Sequence, residues 1–273
     1  MQQPVSDFRE SGLDGWEARS FHGETDYSLV PDRAATGVIG DQSCAASNGI
    51  SATSRSRSRD PGGHGDPEGR AAGSDDDPED DDSEDRGSVL RACADGAASG
   101  LFRELDVDLE RTPVLRWSWW IDAPVAVADV RTRAGDDFAA RVYVVFSGGL
   151  AFWRTTSLVY VWADAGAPDG FWANPFTDNV RMLAVNRGAA DSGSRSGARS
   201  GWNSVRRNVV DDYRAAFDAE PPSIAAVAIM TDTDQTGARA VARYGELWFE
   251  AATAEVTIGD RATAPCASAD ALR

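Results

Sequence analysis

Lysine is absent from this chain: all 27 basic residues are arginine. A high-GC genome explains such a bias, and an acidic, lysine-poor surface also suits high salt; the sequence leaves both readings open. Histidine and cysteine are scarce. The three cysteines, Cys44, Cys93 and Cys266, have no C-x-x-C spacing, which argues against a zinc ribbon and a disulfide framework while allowing one bridge. The two histidines, His22 and His64, stand far apart and suggest neither a catalytic triad nor a metal site. There is no G-x-S-x-G elbow, P-loop or dinucleotide fingerprint, so serine or cysteine hydrolase chemistry is not expected. No apolar run approaches the roughly 20 residues that span a bilayer. The opening MQQPVSDFRE lacks a basic region before an apolar core, so no signal peptide is expected in the sequence as it stands.

What is present is a core. Hydrophobic residues make up 42% of the 273 positions, with nine tryptophans, enough for one large β-sandwich or two small domains. The net charge is -17, but residues 38–87 hold 13 acids against 5 arginines, so about half of it sits in that stretch. This balance leaves no broad basic surface, and a nucleic-acid partner is not expected. The stretch is rich in Ser, Gly, Asp, Arg and Pro and includes SRSRSRD and the acidic run Asp75 to Asp82. It cannot bury enough apolar surface to offset its ordering entropy and reads as a disordered insertion. Residues 260–273 read as a flexible tail.

Elsewhere the pattern is short and β-like. SVLRAC, GLFRELDVDL, VLRWSWWID, RVYVVF, SLVYVWAD, NVRMLAVN, IAAVAIMT and ARYGELWFE are rich in β-branched and aromatic residues, with Gly, Asp, Pro or Asn between them. One short helix is expected at Asp212 to Phe217, with Asp211 as N-cap and Pro221-Pro222 preventing a long continuation. About ten strands with one helix predict an all-β fold, a jelly-roll-type β-sandwich in a single interrupted domain.

Alternation assigns faces. In Leu115 to Asp122, Leu115, Trp117, Trp119 and Ile121 share one side, while Arg116, Ser118, Trp120 and Asp122 share the other. The first side is a core face, the second a polar face with one large aromatic. In Arg141 to Phe146, Arg141 and Tyr143 oppose Val142, Val144 and Phe146. If the two strands are neighbours, Arg116, Trp120, Arg141 and Tyr143 line one concave ligand surface. Trp117, Trp119, Val142 and Phe249 read as core. Trp120, Trp153, Trp162, Trp172 and Trp202 read as residues of the other face or of loops, where some could stack on sugar rings.

Two acidic groups have alternative readings. Asp232-x-Asp234-x-Thr236-Gly237 resembles the start of a calcium loop, but Arg243 stands where the bidentate acid would be. The other reading of Asp232, Asp234 and Thr236 is a turn whose side chains cap backbone amides, with no cofactor. Asp136 and Asp137, before the strand with Arg141, read as turn formers held by an Arg–carboxylate pair, as ligand contacts, or as an acid–base pair for a sugar.

Several motifs together carry a resemblance: Thr-Pro-x-Leu-x-Trp at Thr112 to Trp117, Gly135-Asp136-Asp137 with Arg141-Val142-Tyr143, and Tyr160-Val161-Trp162. Arg207-Asn208-Val209 before Asp212-Tyr213-Arg214, and Met230 to Asp234 with Thr236-Gly237, complete the order. The chain resembles the bacterial family of domain of unknown function 3047 from about Phe8 to Phe249. The resemblance implies a jelly roll similar to galactose- and carbohydrate-binding modules and an extracytoplasmic, periplasmic setting, although a cytoplasmic variant is also consistent with the N-terminus. It departs at Trp120, where relatives carry a basic residue, near Val205, where they carry an acid, and at Gly-Glu-Leu, where Gly-Asp-Ile is commoner. The functional expectation is a non-enzymatic module that binds a glycan or similar polar ligand. A carbohydrate-active enzyme using a carboxylate pair and a protein-interaction scaffold are the alternatives.

Overall fold

The computed structural model describes residues 2–32, 44, 87–149, 154–189 and 201–252. Apart from Cys44 and Gly87, the stretch 38–87 expected to be disordered lies outside the described residues, as does the tail 260–273. Along the chain the first strands are β1 (Gln2–Pro4), β2 (Glu17–His22), β3 (Asp26–Pro31), β4 (Ser88–Asp95) and β5 (Ala98–Glu104). Then come β6 (Val114–Ile121), β7 (Phe138–Phe146), β8 (Thr156–Ala163), β9 (Phe171–Asn174) and β10 (Thr177–Arg187). β11 (Asn203–Asn208), helix α1 (Val209–Phe217), β12 (Ile224–Asp232) and β13 (Arg239–Glu250) close the described chain.

The strands form two sheets packed as a sandwich. One runs β11-β6-β13-β4-β3, with β1 also paired to β13; the other runs β2-β5-β12-β7-β8-β10-β9. The fold is mostly β, without a closed barrel. Among the described residues all strand pairings are antiparallel except β8 with β10.

The core between the sheets is aromatic. Trp117 and Trp119, two apart on β6 and therefore on one face, meet edge to face at 5.4 Å. Trp117 also packs on Tyr160, and Trp119 on Trp162. Tyr244 on β13 donates to the Met230 carbonyl on β12 at 2.8 Å, a hydrogen bond from one sheet to the other. The seven-stranded sheet is also buried on its outer face, where Val159, Val161, Trp172 and Met182 form a second cluster with Val130 of the β6–β7 connection. Burial on both faces explains the unbroken apolar runs of β7, β8 and β12. It also corrects two expectations: Trp162 and Trp172 are buried, at 1% and 7% exposure, and so are not platforms. Trp153 lies outside the described residues.

The helix starts earlier than Asp212. Asn208, not Asp211, is the N-cap, its side chain accepting from the amides of Val210 and Asp211. Asp211 and Asp212 fall in the first turn, where carboxylates suit the helix dipole. Asp212 is buried there, accepting from Tyr160 and Arg207. At the other end Asp218 ends the helix in a left-handed conformation, φ 52°.

Cys44 is bonded to Cys93, a pairing the spacing alone did not assign. The bridge closes a loop across a sequence separation of 49, so chain-entropy reasoning gives it a contribution of about 2–4 kcal/mol. Replacing both cysteines by serine is expected to lower the free energy of unfolding by about that amount in urea titrations. Equal stability of the oxidised and fully reduced protein would show that the bridge contributes nothing.

Candidate functional site

The residues expected to share one ligand surface fall into two groups. β6 belongs to the six-stranded sheet and β7 to the seven-stranded one, so Arg116 and Trp120 lie on one outer face of the sandwich, Arg141 and Tyr143 on the other. The shared concave surface is therefore not formed, because the two strands are not neighbours.

Arg141 is 2% exposed. Its Nε donates to Asp232 Oδ1 at 2.7 Å and its Nη2 to Asp232 Oδ2, a two-pronged pair between β7 and β12. The same guanidinium reaches the Asp136 carbonyl, the Asp136 carboxylate at 3.3 Å and the Tyr143 hydroxyl at 3.3 Å. Its charge also lies 4.6 Å from the Phe138 ring centroid. Asp136 in turn accepts from Asn174, the last residue of β9. One buried arginine thus ties the loop before β7 to the sheet beneath it.

Burial raises the Asp232 carboxyl to about 7 against the pull of Arg141, with Asp136 and Asp137 adding to the rise. Burial opposes the charge on Arg141, yet Asp232, Tyr143 and Asp136 outweigh it and hold the guanidinium well above its usual range. Burial likewise pushes the Tyr143 hydroxyl up to about 12.

The turn after β12 is closed from outside itself. Asp137 accepts the amides of Gln235 at 3.2 Å and Thr236 at 2.7 Å. The Thr236 hydroxyl accepts from the Ala238 amide, and Gly237 turns the chain at φ 64°. Carboxylate oxygens of Asp137, Asp232 and Asp234 lie within 4.8 Å of one another. A calcium ion takes 6–8 oxygens, whereas here both oxygens of Asp232 are engaged by Arg141 and both of Asp137 by amides. Thr236 lies beside this group through its amide. The donor set fits a capped turn.

Among the described residues the outer face of the six-stranded sheet is the more open of the two outer faces. Register places Trp120, Arg243 and Arg91 side by side across β6, β13 and β4, and Arg206, Arg116 and Trp248 side by side across β11, β6 and β13. Each row contains a stacked pair, Arg243 over Trp120 at 4.9 Å and Arg116 over Trp248 at 5.2 Å. Between the rows the residues are small: Ser204 opposite Ser118, with Gly245 alongside. A Cβ on Gly245 would stand 2.3 Å from Ser118 Oγ and 3.6 Å from the Trp202 ring. The result is a trough of about 310 Å³ with Ser118, Ser204 and Gly245 in its floor and Trp202 and Trp248 in its lining. Asp32, Glu246 and Arg9 also line it, and Arg9 pairs with Glu246 at 3.6 Å.

A β-bulge lies in the trough. Tyr244 opposes Trp119 but Leu247 opposes Trp117, so Gly245 and Glu246 together face the single Ser118. The sequence carried this signal, since Tyr244 and Leu247 are both core residues an odd number of positions apart and glycine follows Tyr244. Gly201 presses on the other side of Trp120, where a Cβ would come within 2.6 Å of the indole nitrogen. Trp202 is one of the tryptophans the sequence offered as candidate platforms, whereas Trp248, Arg243 and Arg91 were not singled out for this face; the bulge reverses the alternation that would have revealed Trp248.

The model of the family described as "Protein of unknown function (DUF3047)" matches residues 80–248. The chain belongs to the DUF3047 family. In this DUF3047 protein the matched stretch includes both rows of the trough and the Arg141 cluster. No curated protein matches the chain.

Two outcomes are expected here. The folded Asp232 value lies above its ordinary 3.8, so the carboxyl favours folding most in acid, and that contribution is lost as pH rises through about 7. Removing the arginine deepens that loss: Arg141→Met should cost about 3–5 kcal/mol at pH 8 and clearly less at pH 5, read by urea unfolding. A cost independent of pH would separate Arg141 from the carboxyl's ionisation. Chelation with EDTA should leave the melting temperature unchanged while Asp137→Ala lowers it; a drop with EDTA would show a metal holding the turn.

Proposed function

We propose that this protein is a non-enzymatic jelly-roll-type module that binds a glycan or similar polar ligand in the trough of the six-stranded sheet. The observation that carries the reading is the trough itself: a floor of serine and glycine between two rows in which an arginine stacks on a tryptophan. Sugars present apolar ring faces and polar edges, and indole faces beside hydroxyls and guanidinium groups match both. Arg116 and Trp120 keep the ligand-facing role the sequence suggested for them. Arg141, Tyr143, Asp136 and Asp137 are engaged within the other side of the sandwich, where their contacts support a structural role.

An enzymatic reading would use a carboxylate pair on an open surface. Of the candidate carboxylates Asp136, Asp137, Asp232 and Asp234, the first three are buried, at 7% exposure or less, and only Asp234 is partly exposed, which favours binding over a paired-carboxylate reaction there. The Cys44–Cys93 bridge supports an extracytoplasmic setting, since stable disulfides form in oxidising compartments.

A glycan array read by fluorescence, paired with an assay of reducing-sugar release, tests the reading. Binding without release is the expected result; release points to an enzyme, and silence in both to a protein-interaction scaffold. Trp248→Ala should weaken binding of any array hit by about 1–3 kcal/mol with little change in stability. Trp117→Ala, in the core, should instead cost about 3–5 kcal/mol of stability. Unchanged binding by a folded Trp248→Ala protein would move the site off this face.

A further inference from the structure

The charge within the trough rows points to the kind of glycan, an inference that rests on the binding reading above. Arg116 and Arg243, each stacked on a tryptophan, make no ion pair within 4.0 Å among the described residues, although Glu250 lies within electrostatic reach of Arg116 and Asp122 of Arg243. The other cations of this face are differently placed: Arg206 pairs with Glu250 at 2.8 Å, Arg91 with Asp26 at 3.4 Å. Arg243 is half-buried, and its Nε is covered yet finds no acceptor. Burial lowers its affinity for its proton and neighbouring Arg91 lowers it further, while Asp122 offsets only part of this. A guanidinium in that position has lost water without gaining a carboxylate, so an incoming anion improves its surroundings.

Spacing gives this a direction. Trp120 and Arg116 are four residues apart on β6, about 13 Å at the usual strand rise. The two stacked arginines thus stand in the rows that flank the trough, with Ser118 between them on β6 and Trp248, beneath Arg116, in the trough lining. We propose that the trough selects an anionic glycan, an oligosaccharide whose carboxylate or sulfate groups are held by Arg243 and Arg116 while its rings lie over the Ser118–Gly245 floor. Two discrete arginines suit a chain with spaced acidic groups. The acids Asp32 and Glu246 line the same trough and the chain carries a net charge of -17, so polyanions in general are held back and selection rests on the acidic groups that reach Arg243 and Arg116.

Calorimetry on the full chain tests this with four probes: tetragalacturonate, its neutral methyl ester, a sulfated galactan tetrasaccharide, and an oligothymidylate. The expected result is a preference for one or both acidic sugars over the ester by about 10- to 100-fold, the worth of a charge-assisted hydrogen bond. In Arg243→Gln and Arg116→Gln proteins that preference ratio should fall towards one, while Arg243→Lys retains part of it. Circular dichroism confirms that each variant is folded. Equal binding of acid and ester keeps the ligand face and overturns the charge selection, as does an unchanged ratio in both glutamine variants. Binding of no sugar removes the ligand face itself, and tighter binding of the oligothymidylate would make the trough a nucleic-acid surface.

Discussion

Much of the arrangement depends on one buried ion pair. Arg141 and Asp232 sit on neighbouring strands beneath a loop, almost out of contact with water. A charge so placed is tolerated only when its hydrogen-bonding capacity is met, and Arg141 meets it with Asp232, Asp136 and Tyr143. Because Asp136 and Asp137 belong to the loop before β7, satisfying the arginine also positions that loop. Asp137 then closes the turn after β12 through two amides. The acidic residues that look catalytic in the sequence are consumed in holding two connections against one sheet.

The two outer faces of the sandwich also differ in how they are covered. The outer face of the seven-stranded sheet is closed by Val130, Trp172 and Met182. Among the described residues no apolar cluster of that kind covers the six-stranded sheet at Ser118 and Ser204, and Trp120 and Trp248 point outward with arginines stacked on them. The bulge at Gly245 and Glu246 lets β13 supply Tyr244, Leu247 and Phe249 to the core and still present Trp248 outside. Without the extra residue, the alternation that buries Tyr244 would turn Leu247 outward.

Particular residues show how far the sequence could be read. Trp117 and Trp119 were legible as core and Trp120 as outward because strand alternation is local and strict. Helix α1 was legible, but its start was placed late: Asn208 resembles a strand residue until its side chain is seen to cap Val210 and Asp211. Trp162 was misread as open because no local pattern tells which face of β8 meets the other sheet, where it packs on Trp119, and Trp172 because none tells whether a connection will cover a sheet face. Arg141 was misread for the same reason. Its parity was right, but the surface to which parity assigned it is roofed.

The sequence by itself determined the mostly-β class, the division of inward and outward residues on β6 and β7, and membership of the DUF3047 family. These follow from backbone periodicity and from motif order, both carried by residues near one another in the chain. Tertiary structure alone decided that β6 and β7 lie in different sheets, that Cys44 meets Cys93, and that Asp137 caps a turn nearly a hundred residues away. Those outcomes depend on which distant surfaces remove each other from water and which buried charges find partners, and neither quantity is written in any local stretch of the chain.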